Sequence, residues 1–369
     1  MSNPSASDVP ARGEAPAHTG APNRDDVSAR SDTPASGRLA HLGLLRFAGT
    51  DAPAFLQGQI SNDTRRLNEG APLLAAYSTA QGRVVAVLYL LPHSSGVIAI
   101  LPREIVSPTL ERLRKYLLRA KVKIEDISDQ FAVIGQHRLE SLADNELPVP
   151  QIAQGYVERD GIGVARVGPA RAGADAHRYW TVGSTQELVK LGILVQRAPT
   201  QHAPAQHDTP ESHGNGATER AQQIEHDWRL ADIRAGLPQI YAATGEMFVA
   251  QMLNLDLIDG ISFTKGCFTG QEIIARTQHL GRIKRRMVRL RLPAGSWAIG
   301  QPVQLTDGRR GRLTELAQLG SEYEVLAVLN LQSSGATTTP GAGQDTDDPG
   351  SGPRVEAIEL PLPYSLGAT

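Results

Sequence analysis

The longest apolar run in this chain, residues 84–91 (Val-Val-Ala-Val-Leu-Tyr-Leu-Leu), has strand length. An unbroken run of that kind marks an inner strand buried on both faces. It is far short of the ~20 apolar residues that a membrane helix needs. A second strand, 75–79, precedes it across a Gln81-Gly82 turn, and a third, 97–101, follows. A chain whose hydrophobic residues come in short strands has to build packed sheets. Its 369 residues leave room for two or three units and a sizeable core.

Helical signals are interleaved with the strands, so the pattern predicts an α+β protein. Leu42, Leu44 and Phe47 alternate with small or polar residues as a strand. Asp51 stands where it can cap a short helix holding Phe55, Leu56 and Ile60. Ser107-Pro108 reads as an N-cap followed by the first helical position, with Leu110, Leu113 and Leu117 at helical spacing behind it. Arg112, Arg114, Lys115 and Arg119 coat the other faces, which reads first as a solvated surface and second as a nucleic-acid contact. Short strands follow at 131–134, 161–167 and 179–182, and Ser184-Thr185-Gln186-Glu187 is a capping box. Ile224, Trp228 and Ala231 mark an amphipathic helix ended by Gly236 and Pro238. From Met287 the period becomes two, and short strands near 302–305, 312–316, 323–331 and 355–362 predict a small antiparallel barrel or sandwich.

Three stretches interrupt this order. Residues 1–36 hold almost no large apolar side chain and read as a disordered tail. Residues 198–219 carry His202, His207 and His213 with nothing hydrophobic to fix them, so they read as a linker rather than a metal site. Residues 333–353 are rich in Gly, Thr, Asp and Ser and read as a flexible loop. The domains expected are therefore 37–285, an α+β region of two subdomains, and 286–369, a barrel. The net charge of −2 gives no global case for a nucleic-acid partner. The start of the chain lacks the apolar core of a signal peptide, and scattered acids argue against a transit peptide, so a reducing, cytoplasmic setting is expected. GIGVARVG at 161–168 has the wrong spacing for a dinucleotide loop.

Chemistry concentrates in Lys265-Gly266-Cys267-Phe268-Thr269-Gly270-Gln271-Glu272, which holds the only cysteine. One cysteine excludes an intramolecular disulfide and any multi-cysteine zinc or iron–sulfur site within one chain. Glycines on both sides permit close approach and positive φ. A helix beginning near Gly270 would turn its N-terminus toward the thiol, and with Lys265 nearby both features favour thiolate. Arg276, Arg282, Lys284, Arg285, Arg286, Arg289 and Arg291 follow, against the single acid Glu272. A small buried cysteine, an ordinary tight turn and a solvated basic strand are the plain alternatives.

KGCFTGQE, preceded by NLDLIDGISFT and followed by IIARTQHLGRIKRR, resembles the signature of the YgfZ family of folate-binding proteins, which is related to the aminomethyltransferase (T-protein) of the glycine cleavage system. The resemblance extends to WRLADIRAGLP at 228–238, more weakly to FLQGQISND at 55–63 and STAQGR at 78–83, and spans roughly residues 38 to 332. It implies aminomethyltransferase-like folate-binding domains around a central cleft, with a C-terminal antiparallel β-barrel. On that model the cleft is lined by the Asn62-Asp63 turn, the Trp228 to Arg234 helix and the Cys267 loop. Tetrahydrofolate or a derivative is the implied cofactor. Trp228 is either a stacking face for its pterin or a core residue, and Arg234, Lys265 or Arg282 would meet its glutamate tail. Gly266, Gly270, Gln271 and Glu272 complete the implied folate-contacting set, and no metal site is expected.

The family is also implied in the assembly or maintenance of iron–sulfur enzymes, including tRNA-modifying ones. Cys267 would then act as a transient ligand, a redox-sensitive thiol or half of a shared site, with Lys265 lowering its pKa. Two departures matter. Phe268 stands where the family usually has Tyr, so no hydroxyl is available there. Residues 82–87, where T-protein-like sequences carry acids near the folate, hold no carboxylate, which argues against aminomethyl or one-carbon transfer. The third reading is a non-enzymatic accessory protein in RNA contact through Arg282 to Arg291.

Overall fold

A computed structural model of the chain describes residues 36–136, 146–150, 152, 155–168, 178–194, 215–279, 283–332 and 352–366. The apolar run becomes the body of a long strand, β4 (Val84–His93), inside a five-stranded antiparallel sheet. Its neighbours are β3 (Leu73–Ser78) and β5 (Gly96–Pro102); β2 (Leu42–Ala48) and β6 (Lys123–Asp126) complete the order β3-β4-β5-β2-β6. Leu44, Leu45, Phe47, Leu88, Leu90 and Ile98 from this sheet are almost fully buried. Helix α1 (Ala52–Gln59) contributes Phe55 and Leu56 to the same core, and a single turn, α2 (Arg65–Asn68), follows it. Helix α3 (Val106–Arg114) buries Leu110 and Leu113 as expected. It starts one residue before Ser107, so that serine lies inside the first turn instead of capping it. Asp51 does not cap α1 either; its carboxylate accepts the Lys121 N–H at 2.8 Å.

A second five-stranded antiparallel sheet has the order β1-β7-β10-β9-β8. Its strands are β1 (Ser36–Arg38), β7 (Phe131–Gln136), β8 (Tyr156–Arg159), β9 (Ile162–Val167) and β10 (Arg178–Ser184). The discarded glycine motif is β9, a plain strand. Ser184 caps α4 (Thr185–Lys190) by accepting the Glu187 N–H at 3.1 Å, as its sequence predicts. Helix α5 (Asn215–Ala235) packs against β1 of this sheet and also against the C-terminal strands. Gly135 makes that approach possible, because a Cβ there would fall 2.5 Å from the Trp228 ring. Gly236 ends the helix at φ +64°. Trp180 from β10 and Trp228 from α5 belong to the main core, which both sheets share.

The C-terminal strands form a six-stranded sheet, order β15-β12-β13-β14-β11-β16, after helix α6 (Gln271–His279). They are β11 (Arg285–Leu292), β12 (Pro302–Leu305), β13 (Arg310–Leu319), β14 (Glu322–Asn330), β15 (Arg354–Val355) and β16 (Ile358–Leu360). The inward residues of the predicted alternation, Val288, Leu290 and Leu292, build a separate small core with Leu313 and Val325. Of the expected antiparallel barrel or sandwich, the described strands form one six-stranded sheet. The two end strands are not hydrogen-bonded to each other among the described strands, and β12 pairs with β15 in parallel.

The predicted tail lies outside the described residues up to position 35, and Ser36 already opens β1. The predicted linker lies outside them up to position 214, and the Gly-rich loop lies outside them over 333–351. Among the described residues, no helix is long and apolar enough to cross a membrane.

Candidate functional site

The octapeptide with the lone thiol packs against the C-terminal end of α1. The last carbonyls of a helix have no partner within it and carry partial negative charge. Lys265, only 7% exposed, supplies that partner: its Nζ donates to the carbonyls of Gln57 at 2.7 Å, Ile60 at 2.7 Å and Asn62 at 2.9 Å. Thr269 donates its N–H to the Gly58 carbonyl at 3.1 Å. Burial pushes the Lys265 ammonium down to about 8, and Asp63 opposes that. The ammonium also lies 4.8 Å from the centre of the Phe268 ring.

Gly270 has φ +81°, and a Cβ there would fall 2.6 Å from the Thr79 carbonyl oxygen and 3.0 Å from the Gly82 Cα. The loop therefore presses its glycine against the glycine turn before β4. The Gln271 side chain accepts the Phe268 N–H at 3.3 Å, and α6 starts at Gln271 as expected. Glu272 is a surface residue paired with Arg276 at 3.2 Å.

Two residues of the octapeptide have no such structural task. Gly266 has an ordinary φ and open space where its Cβ would stand, so the expected need for positive φ is met at Gly270 alone. Cys267 is exposed and makes no hydrogen bond among the described residues. The expected Lys265–thiol pair is not formed among them, because the ammonium is held by the three carbonyls.

Asn62 and Asp63 are brought beside this loop, but as structural groups. The Asn62 amide donates to the carbonyls of Leu74 at 2.8 Å and Asp259 at 2.7 Å. Ser61 donates to the Gly260 carbonyl at 2.6 Å and accepts the Ala76 N–H at 2.8 Å. The Asp63 carboxylate is gripped by the Arg65 guanidinium, which pulls its pKa down to about 2. Together these bonds tie α1, β3 and the strand of chain leading to Cys267 into one knot.

The helix residues are placed elsewhere. Trp228 has no exposed surface, packs 6.3 Å from Trp180 and lies under the Arg178 guanidinium at 4.8 Å, so no pterin can stack on it. Arg178 is itself paired with Asp232 at 2.6 Å. Arg234 pairs with buried Glu324 of β14 at 2.9 Å and thereby joins α5 to the third sheet. Arg282 lies outside the described residues. The basic run is mostly committed within the fold: Arg286 to Asp256 at 2.6 Å, Arg289 to Glu324 at 2.5 Å, and Arg285 to Asn330 at 2.9 Å. It is not a free cationic face.

A recess lies where the first two sheets meet, lined by Leu73, Leu74 and Tyr89 on one side and Ala165, Arg166 and Trp180 on the other, with Arg66 and Asp259 also in its wall. Its empty volume, part of it open to solvent, is about 370 Å³. The Trp180 ring meets Tyr89 edge-on at 4.8 Å, and its buried Nε1–H has no hydrogen-bond partner among the described residues. Arg66 pairs with Asp259 at 2.6 Å, whereas the Arg166 guanidinium has no partner among the described residues. Sequence reasoning missed Trp180 and Arg166. A cation inside the otherwise apolar strand 162–167 was the available signal for Arg166; Trp180 carried none, because an unpartnered N–H appears only once the sheets face each other. Among the described residues, no group of three or more His, Cys, Asp or Glu side chains could hold a metal ion.

No protein-family model matches the chain. The tRNA-modifying protein YgfZ of Photobacterium profundum is 26% identical over 332 residues, covering 89% of this chain and 91% of the relative. The proteins of the same name from Colwellia psychrerythraea and Hamiltonella defensa are each 28% identical, over 68% and 80% of this chain and 69% and 79% of their own lengths. Among solved structures, the aminomethyltransferase T of the glycine cleavage system from Bartonella henselae superposes with a TM-score of 0.55 at 13% identity, covering 80% of this chain and 78% of its own. At that identity the likeness establishes the fold alone. The resemblance carried by KGCFTGQE and its flanks is borne out.

Proposed function

Taking the likeness to the YgfZ proteins as premise, we propose that the chain is a folate-binding protein that supports assembly or maintenance of iron–sulfur clusters in other enzymes, tRNA-modifying ones included, through the thiol of Cys267. The observation that carries the reading is the division of labour within the octapeptide. Lys265, Thr269, Gly270 and Gln271 anchor the loop, and the thiol is left exposed on that anchored loop without a partner among the described residues. A fixed, accessible sulfur suits exchange with a second molecule. One thiol cannot hold a cluster alone, since clusters take four ligands, so the other ligands belong to the client. The name shared by the three relatives supports a tRNA-modification setting, and a cytoplasmic one is proposed with it.

A tetrahydrofolate-type cofactor fits the chemistry of the recess. A pterin edge offers acceptors for the orphaned Trp180 Nε1–H, Tyr89 and Trp180 supply apolar walls, and Arg166 suits a carboxylate of the glutamate tail. The bound cofactor would supply one-carbon or redox chemistry; the residues named here bind and orient it. One-carbon transfer by this chain itself is disfavoured, because Val84, Ala86 and Val87 are buried apolar residues of β4 where a carboxylate would be needed.

The test is complementation of cells lacking the protein. Cys267→Ala and Cys267→Ser should accumulate as folded protein yet fail to restore iron–sulfur enzyme activity, whereas Glu272→Gln should restore it. Full restoration by Cys267→Ala removes the thiol from the function.

A further inference from the structure

We infer that the end of α3 and the loop after it, residues 112–123, form a docking surface for RNA. The stretch holds Arg112, Arg114, Lys115, Arg119, Lys121 and Lys123 and no acid. Arg112 is neutralised by Glu246, and Lys123 by Glu125 at 2.6 Å. The other four are exposed, and none lies within salt-bridge distance of an acid among the described residues; Arg114 donates to the Ile124 carbonyl at 3.3 Å, and the Asp51 carboxylate lies near enough to Lys121 to feel its charge. This is the reverse of β11, whose arginines are mostly bound to acids and amides of the same fold. The buried Leu110 and Leu113 fix the helix to the first sheet, so the cations stand on a rigid base.

Two apolar side chains are uncovered within this basic field. Tyr116 is 49% exposed. Leu118 is 91% exposed and sits at φ +42°, a left-handed conformation that disfavours a leucine. Among the described residues nothing packs on that side chain to offset the strain. Cations that meet phosphates, beside an exposed ring on which a base can stack, are the two components of single-stranded nucleic-acid recognition. A lipid surface would use the same cations. One leucine and one tyrosine offer it too little apolar area, because stable anchoring takes more than a single short chain. The surface shares no residue with the thiol loop or the recess, and folate binding neither requires nor implies it.

The test is fluorescence anisotropy of a labelled, unmodified tRNA transcript titrated with the full-length protein between about 50 and 200 mM salt. The wild type should bind with an affinity that falls steeply with salt. The Lys115→Gln/Arg119→Gln/Lys121→Gln variant should lose at least about tenfold in affinity and about two units of salt slope, each phosphate contact contributing about 0.7–0.9. Tyr116→Ala should weaken binding by about fivefold or more with the salt slope unchanged. Lys190→Gln, a surface lysine on α4, should bind as wild type, and all variants should melt together with it. Wild-type binding by the triple variant, or an equal loss in Lys190→Gln, overturns the proposal. So does binding to phosphatidylserine vesicles in the absence of transcript binding.

Discussion

Gly266 and Gly270 flank the thiol and carry opposite requirements. Gly270→Ala puts a methyl group at φ +81° and against the Thr79 carbonyl, so it should destabilise the protein by about 2–4 kcal/mol in urea unfolding. Gly266→Ala meets open space and should stay within about 0.5 kcal/mol of wild type. Equal effects would mean that the loop is not pressed onto the turn before β4. Asp63 supplies a pH signature. Its folded pKa of about 2 lies below the ordinary 3.8, so its stabilisation is present above about pH 4 and is lost as pH falls through 2. Asp63→Asn should therefore lower stability at neutral pH and flatten the acid-unfolding curve between about pH 4 and 2, by on the order of 1–2 kcal/mol.

Helix α5 and the third sheet are joined by charge. Glu324 is 1% exposed and accepts from both Arg234 and Arg289, and the two guanidiniums hold its carboxyl below the usual range against the cost of burial. Glu324→Ala leaves Arg289 without a counter-ion in a mostly buried site and should cost about 3 kcal/mol, read from denaturant midpoints. Arg234→Ala, whose side chain is half exposed, should cost well under half of that. A reversed order would place the interface energy in α5 instead of the buried carboxylate. These pairings explain why β11 misleads as sequence. Seven cations against one acid read as a free basic segment, but the compensating Asp256 and Glu324 lie 30 or more residues away. Only tertiary structure brings them together. The capping box at Ser184, by contrast, was legible because both partners are local.

For the whole molecule, local patterns foretold the elements and long-range pairing decided their roles. Residues 84–91 had to be an inner strand, and the alternation from Met287 had to be a half-buried one. That Lys265 would bind the end of a helix some 200 residues earlier could not be read, because its partners are backbone carbonyls that look alike in any sequence. Trp228 was ambiguous between a stacking face and a core residue; the closeness of Gly135 to its ring shows it packed as core. The thiol loop stood out because its residue types are rare in a packed core, and the structure gives most of them a task but leaves Gly266 and Cys267 without one.

The most direct measurement is calorimetric titration of tetrahydrofolate into the wild type, Cys267→Ala and Trp180→Phe. Saturable binding that is unchanged in Cys267→Ala and weakened about tenfold in Trp180→Phe, which keeps an aromatic ring but loses the N–H, is the predicted result. Absence of saturable binding in the wild type would contradict folate recognition altogether, and loss on changing Cys267 with Trp180→Phe unaffected would contradict its location in the recess.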